Sequence, residues 1–244
     1  MAYREYPAAP ALQEYIYCYW HLHTLQKLKE EYNYNVVADG CIDIFFELDN
    51  PHNSFVMGFC KTATTFSLDR SFNYFGIRFL PAAFTRLFKI AAFELTNTFE
   101  PLSLVVPAVA AHLSYKGGND PDALQTKNIL DRYFTSLLAG NMADADPRFY
   151  NALSKIVKHH GMVNIEDGID TGISTRQLRR MFEFYIGTNA KTFSRVVRFQ
   201  NVLNSGYDSI TDKVYLDLGY YDQAHFIKEF KDFYGMTPGR LKGK

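Results

Sequence analysis

The sequence is poor in the features that most chemical specialisations need. Its three cysteines, Cys18, Cys41 and Cys60, are odd in number and unevenly spaced. That argues against a disulfide framework or a zinc site and for a reducing cytosol, with all three read as small buried thiols. No apolar run reaches the ~18 residues of a membrane helix, so no membrane partner is expected. Residues 1–10 (MAYREYPAAP) lack the basic-then-apolar pattern of a secretory signal. There is no Ser/His/Asp order, no glycine-rich phosphate loop and no zinc ligand spacing. No catalytic residue, cofactor or metal is therefore assigned, and an enzyme is not expected. Net charge is missing too, because 26 Lys and Arg balance 26 Asp and Glu over 244 residues. The balance is uneven along the chain. Residues 146–244 hold 15 basic against 11 acidic residues, and residues 1–145 hold 11 against 15. A mildly basic carboxyl half matters for the choice of partner.

The two halves also differ in pattern. Residues 15–22, 41–48, 54–60 and 74–80 are short, aromatic or β-branched runs, punctuated by Asp39-Gly40 and Asp49-Asn50-Pro51, and read as strands. Residues 83–90, 102–113 and 121–138 show helical spacing, the last with an apolar stripe at Leu130, Phe134, Leu137 and Leu138. That stripe suits a homodimer contact and packing on the chain's own sheet equally well. Residues 139–147 (AGNMADADP) are small, polar and helix-breaking, so they read as a linker. They divide a β-rich domain with a helical tail (1–140, helices about 81–138) from a helical domain (146–244). Helices are expected there at 148–159, 165–171, 175–185, 190–204, 210–218 and 223–234, with a final turn near Gly239.

The helical domain repeats with a period of 48 residues. Ser174 answers Asp222, Leu178 answers Phe226, Phe182 answers Phe230, Gly187 answers Gly235 and Phe193 answers Leu241. Each unit runs short helix, glycine turn (Gly172 or Gly219), N-cap, second helix, glycine. That is a helix-turn-helix written twice. In the two second helices, Leu178/Phe182/Tyr185 and Phe226/Phe230/Phe233 form inner stripes. Arg176, Arg179 and Arg180, and then Gln223, His225 and Lys228, are left outward near the amino-terminal ends. Arginine bonds both acceptors of guanine and glutamine the edge of adenine, each good pair contributing about 1–3 kcal/mol of discrimination. His225 fits a capping or core role as well as a reading role. The partner expected is double-stranded DNA.

Residues 172–203 (GISTRQLRRMFEFYIGTNAKTFSRVVRFQNVL) and 219–242 (GYYDQAHFIKEFKDFYGMTPGRLK) resemble the DNA-binding domain of AraC/XylS-type transcription regulators. The match is densest at Gly219-Tyr220, Asp222, Gln223, Phe226, Phe230, Gly235, Thr237 and Pro238. The resemblance implies two recognition helices entering successive major grooves, joined by a rigid helix at 190–204, in a cytoplasmic regulator. It places Arg176, Arg179, Arg180, Gln223, His225 and Lys228 at the base-reading positions. The sequence departs from the family at Gly168, inside a short support helix at a cost of about 0.8–1 kcal/mol against alanine. It departs again at Asn189-Ala190, where the family has Ser-Pro, and at Tyr215, where it has a small residue.

The front half resembles an uncharacterised sensor-like domain found ahead of such modules. The marks are Tyr19-Trp20, Asp39-Gly40-Cys41-Ile42-Asp43-Ile44-Phe45 and Gly76-Ile77-Arg78-Phe79-Leu80-Pro81. This implies an α+β chain: a β-barrel-like (cupin-like) domain with following helices, then an all-α domain of two helix-turn-helix units. It also implies a small-molecule effector and a dimer. Trp20, Tyr17 and Phe45-Phe46 suit either an apolar pocket or plain core. Asp43 and Arg78, polar in apolar strands, suit an ion pair or a ligand contact. Trp20, Asp43, Phe45 and Arg78 are the effector candidates. His21 and His23 alternate on one strand and share a face, yet only His52 is near in sequence as a third ligand. Two other readings remain: a cupin-like enzyme with an accessory helical domain, and a degenerate helix-turn-helix interaction protein.

Overall fold

The computed structural model describes residues 1–116, 122–140, 146–165, 169, 172–205 and 214–241. The front half is antiparallel: β1 (Ala2–Tyr6), β2 (Ile16–His23), β3 (Tyr32–Val36), β4 (Ile42–Glu47), β5 (Ser54–Met57), β6 (Thr64–Leu68), β7 (Asn73–Phe79) and β8 (Phe99–Pro101). Six strands form one sheet in the order β1-β2-β7-β4-β5-β8, and β3 pairs with β6 as a separate two-stranded sheet. Four of these strands were legible in the pattern. β1, β3, β6 and β8 were not, because YNYNV and TTFSL carry polar residues and cover only one side of a slot.

Alternation sorts the large sheet's side chains. Ile42, Ile44 and Phe46 of β4, with Phe75, Ile77 and Phe79 of β7, enter the main core. Trp20, Phe45 and Tyr74 face the small sheet instead, beside Tyr32, Tyr34 and Leu68. Phe46 therefore belongs to the core rather than to any pocket, and Tyr17 is exposed. Gly76 is what lets the Trp20 indole lie across β7, since a Cβ there would stand 2.0 Å from the ring.

Helices α1 (Ala83–Phe88), α2 (Leu102–Val105), α3 (Pro107–Lys116) and α4 (Ala123–Gly140) follow. The single helix expected over 102–113 is broken after Val105, because Pro107 has no N–H to continue it. The stripe of α4 is spent inside the chain: Leu130 and Phe134 are fully buried in the front core, Phe134 edge-on to Phe79. Asp131 fixes this packing by accepting from the Tyr19 hydroxyl and the Ala9 amide, both at 3.0 Å. Of the two covers that the stripe suited, the chain's own sheet takes Leu130 and Phe134, while Leu137 and Leu138 stay partly buried, and the helix runs through 139–140, where the linker was expected to start.

The carboxyl-terminal domain comprises α5 (Pro147–Lys158), α6 (Thr175–Ile186), α7 (Ala190–Asn204), α8 (Val214–Asp217), α9 (Gln223–Tyr234) and α10 (Pro238–Leu241). Most of the helix expected at 165–171, Gly168 included, lies outside the described residues, as does the start of that expected at 210–218. A second core joins Phe149, Phe182, Phe193, Phe199, Phe226 and Phe230, and it takes in Ala38, Phe59 and Ala82 from the front half. Of the cysteines, Cys18 and Cys60 are buried and Cys41 is half-buried; all three are free.

Candidate nucleic-acid interface

The 48-residue repeat is reproduced at the helix caps. Ser174 Oγ accepts from the Gln177 amide at 3.3 Å and Asp222 Oδ1 from the His225 amide at 2.7 Å. Gly187 and Gly235 close the helices at φ 92° and 89°, and the turn glycines Gly172 and Gly219 sit at 70° and 78°. These left-handed angles are why glycine recurs there. Asn189, departing from Ser-Pro, still caps α7 by accepting from the Thr192 amide at 2.9 Å.

Leu178, Phe182 and Ile186 are buried under α6, and Phe226, Phe230 and Phe233 under α9. Arg176, Arg179 and Arg180 on α6, and Gln223, His225 and Lys228 on α9, are all exposed. Two of the six are engaged within the chain. Arg179 pairs with Glu183 one turn on at 2.8 Å. His225 lies edge-on to the Tyr220 ring, with Nε2 3.7 Å from Glu229. The face of α6 borders a broad open trough whose far wall is the front domain, at Lys61, Phe93 and Asn97.

Three residues that the sequence reading passed over anchor the second unit. Glu229 is 1% exposed on the inner side of α9, where Arg195 meets it at 2.6 Å and Arg198 at 2.9 Å, both from α7. Arg198 also donates to the Gly219 carbonyl at 3.0 Å and stacks over Tyr220 at 4.5 Å. A carboxylate wedged between Phe226 and Phe230, with arginines three residues apart on the linker helix, was the available signal.

The front domain grips the carboxyl-terminal ends of both exposed helices. Thr96 Oγ1 donates to the Gly187 carbonyl at 2.7 Å. The Ala38 amide donates to Phe233 O at 2.9 Å and the Ala63 amide to Asp232 O at 3.1 Å. These satisfy carbonyls that a helix end leaves unpaired. Gln200 of α7 donates to the Ala38 carbonyl at 2.6 Å, and Gly40 lies so close to Phe193 that a Cβ would stand 2.8 Å from the ring.

Trp20, Asp43, Phe45 and Arg78 line one cavity of about 260 Å3 between the two sheets. Asp43, 3% exposed, accepts from Trp20 Nε1 at 3.1 Å and from Arg78 Nη2 at 3.0 Å. Asp39 lies 3.7 Å from Arg78 Nη2, and burial pushes its carboxyl up to about 6. His21 and His23 stack at 4.2 Å, and among the described residues no group of three or more metal-ligating side chains occurs.

Residues 170–244 match a family model described as a helix-turn-helix domain, and residues 4–101 match one described as a domain of unknown function (DUF6597). Comparison with curated proteins finds no match. Among solved structures, ToxT from Vibrio cholerae bound to (E)-4-(8-methylnaphthalen-1-yl)but-3-enoic acid is similar at TM-score 0.47 and 11% identity, over 91% of this chain and 97% of that one. ToxT bound to an unsaturated fatty acid is similar at TM-score 0.43 and 12% identity, over 91% and 94%. Residues 170–244 form a helix-turn-helix domain, and the chain is a DNA-binding transcription regulator.

Proposed function

We propose that α6 and α9 read one promoter segment in successive major grooves. Arg176, Arg179, Arg180, Gln223 and Lys228 supply the base and phosphate contacts, with His225 at their edge. The observation that carries this reading is the pair of capped helices α6 and α9, both packed on α7 and both exposing their amino-terminal tips. Fluorescence anisotropy with the chain's own upstream DNA and a scrambled duplex tests it. The native duplex is expected to bind at least a hundredfold tighter, log affinity falling steeply with log salt. Gln223→Ala should lower specific affinity by about 1–3 kcal/mol without changing the salt slope, whereas Lys228→Ala should reduce the slope by about 1. Equal affinity for both duplexes at every salt concentration overturns the reading.

The division into a sensing domain (1–140) and a reading domain (146–244) belongs to the same proposal, as do a small-molecule effector and a cytoplasmic site of action. Four residues within the run 36–40 connect the two activities. Val36 lines the cavity, Ala38 bonds to α9 and α7, Asp39 faces Arg78, and Gly40 abuts Phe193. A ligand that moves Arg78 thus changes the grip on both the linker helix and the second reading helix. A homodimer would have to use surfaces other than the buried Leu130 and Phe134 of α4.

A further inference from the structure

We infer that the cavity between the two sheets takes a small, flat, uncharged molecule with one hydrogen-bond-accepting oxygen, a ring ketone in class; this rests on the sensing role proposed above. The walls are rings and aliphatic chains, Trp20, Tyr34, Phe45, Phe55, Phe66 and Phe99 foremost. The volume of about 260 Å3 lies just below the roughly 300–1,000 Å3 of drug-sized sites, so one or two fused rings fill it.

The polar corner selects the head group. Arg78 spends Nε and Nη2 on Asp43, while its Nη1 makes no hydrogen bond among the described residues. Tyr34 lines the same cavity, and its hydroxyl feels the charges of Arg78, Asp43 and Asp39 and likewise has no partner among the described residues. The two residues that carry these unused donors thus both line the slot. A carboxylate ligand would place a third acid beside one guanidinium that Asp43 already neutralises, and buried unpaired charge is costly. An ammonium would have to displace Arg78 from Asp43, whose oxygens already accept from Arg78 and Trp20. A neutral carbonyl gains a charge-assisted hydrogen bond from Nη1 and adds no charge.

Three probes on one carbon frame separate these cases: 1-indanone, indane-1-carboxylate and 1-aminoindane, titrated against the full chain. Trp20 is the chain's single tryptophan and lines the slot, so its emission reports occupancy, and calorimetry reports affinity independently. 1-Indanone is expected to bind at least tenfold tighter than either charged analogue. Tyr34→Phe, which keeps the walls, should weaken it about fivefold through loss of one hydrogen bond. Tighter binding of the acid or the amine overturns the inference, and so does silence of all three probes in both emission and heat. Promoter anisotropy on the same samples separates the two claims. Indanone binding with unchanged DNA affinity keeps the slot assignment and removes the sensing role. No indanone binding with intact promoter specificity removes the slot assignment alone.

Discussion

The two helix-turn-helix units share caps, glycines and apolar stripes in phase, but they are fastened by different chemistry. In the second, Glu229 is buried between two arginines of α7, so an ion brace fixes α9 to the linker helix. Forty-eight residues earlier the same position is Met181, half-buried, and among the described residues α6 has no such brace. Both helices take bonds from the front domain, α9 from Ala38 and Ala63 and α6 from Thr96 with Ala92 close by, but α6 has that grip without the brace. A repeated scaffold therefore does not imply equal rigidity. The second unit carries part of its own orientation through the brace, whereas the first has only its apolar stripe and the front domain's grip.

The largest effect expected from breaking this asymmetry is at the brace. Glu229→Met makes the second unit resemble the first and leaves Arg198, whose side chain is 14% exposed, without its carboxylate. Removing one partner of a buried pair typically costs about 3–5 kcal/mol, and solvent reaching the more exposed Arg195 places this case near 3. Urea unfolding of the full chain reads the loss. Adding Arg198→Met should restore most of it, because replacing both charges by apolar groups removes the unpaired ion. A neutral single variant would mean that the brace anchors nothing.

This brace also marks where the sequence stopped being legible. The repeat, its caps and its exposed tips follow from local rules, so helices 190–204 and 223–234 were readable to the residue. The four effector candidates were found as polar or aromatic breaks in apolar strands, and alternation does bring them to one face. What covers that face was invisible. YNYNV and TTFSL are half-polar strands that pair only with each other, and their partner is set by tertiary packing. Tyr34, facing the slot from one of them, was missed for that reason. Glu229 was missed because its meaning depends on two arginines about thirty residues away. The stripe of α4 was ambiguous because an apolar face says that it is covered, never by what.

The next effect in size compares the two closing glycines. Both have left-handed backbone, which costs an alanine about 1–2 kcal/mol. Their surroundings differ. A Cβ on Gly187 would stand 2.4 Å from Thr96 Oγ1 and 2.9 Å from the Ala92 carbonyl, whereas on Gly235 it would meet only Ala63 at 3.3 Å. Gly187→Ala should therefore lose roughly twice the stability of Gly235→Ala, and it should also loosen the front domain from α6. Limited proteolysis between the domains checks the second point. Equal losses, with no added cleavage, would show that the first unit does not depend on the front domain.

The smallest effect separates the two N-caps. Each of Ser174→Ala and Asp222→Ala should cost about 1 kcal/mol, since each removes one side-chain acceptor from an otherwise unpaired amide. Asp222 should be the larger. Its bond is 2.7 Å against 3.3 Å, and its acceptor is a carboxylate at the positive end of a helix. That electrostatic share is exposed to solvent, so raising salt should shrink the Asp222 loss while leaving the Ser174 loss unchanged. Paired urea titrations at low and high salt measure both. Salt-independent losses of equal size would make the caps equivalent, and the difference between the units would then rest on Glu229 and the front domain's grip alone.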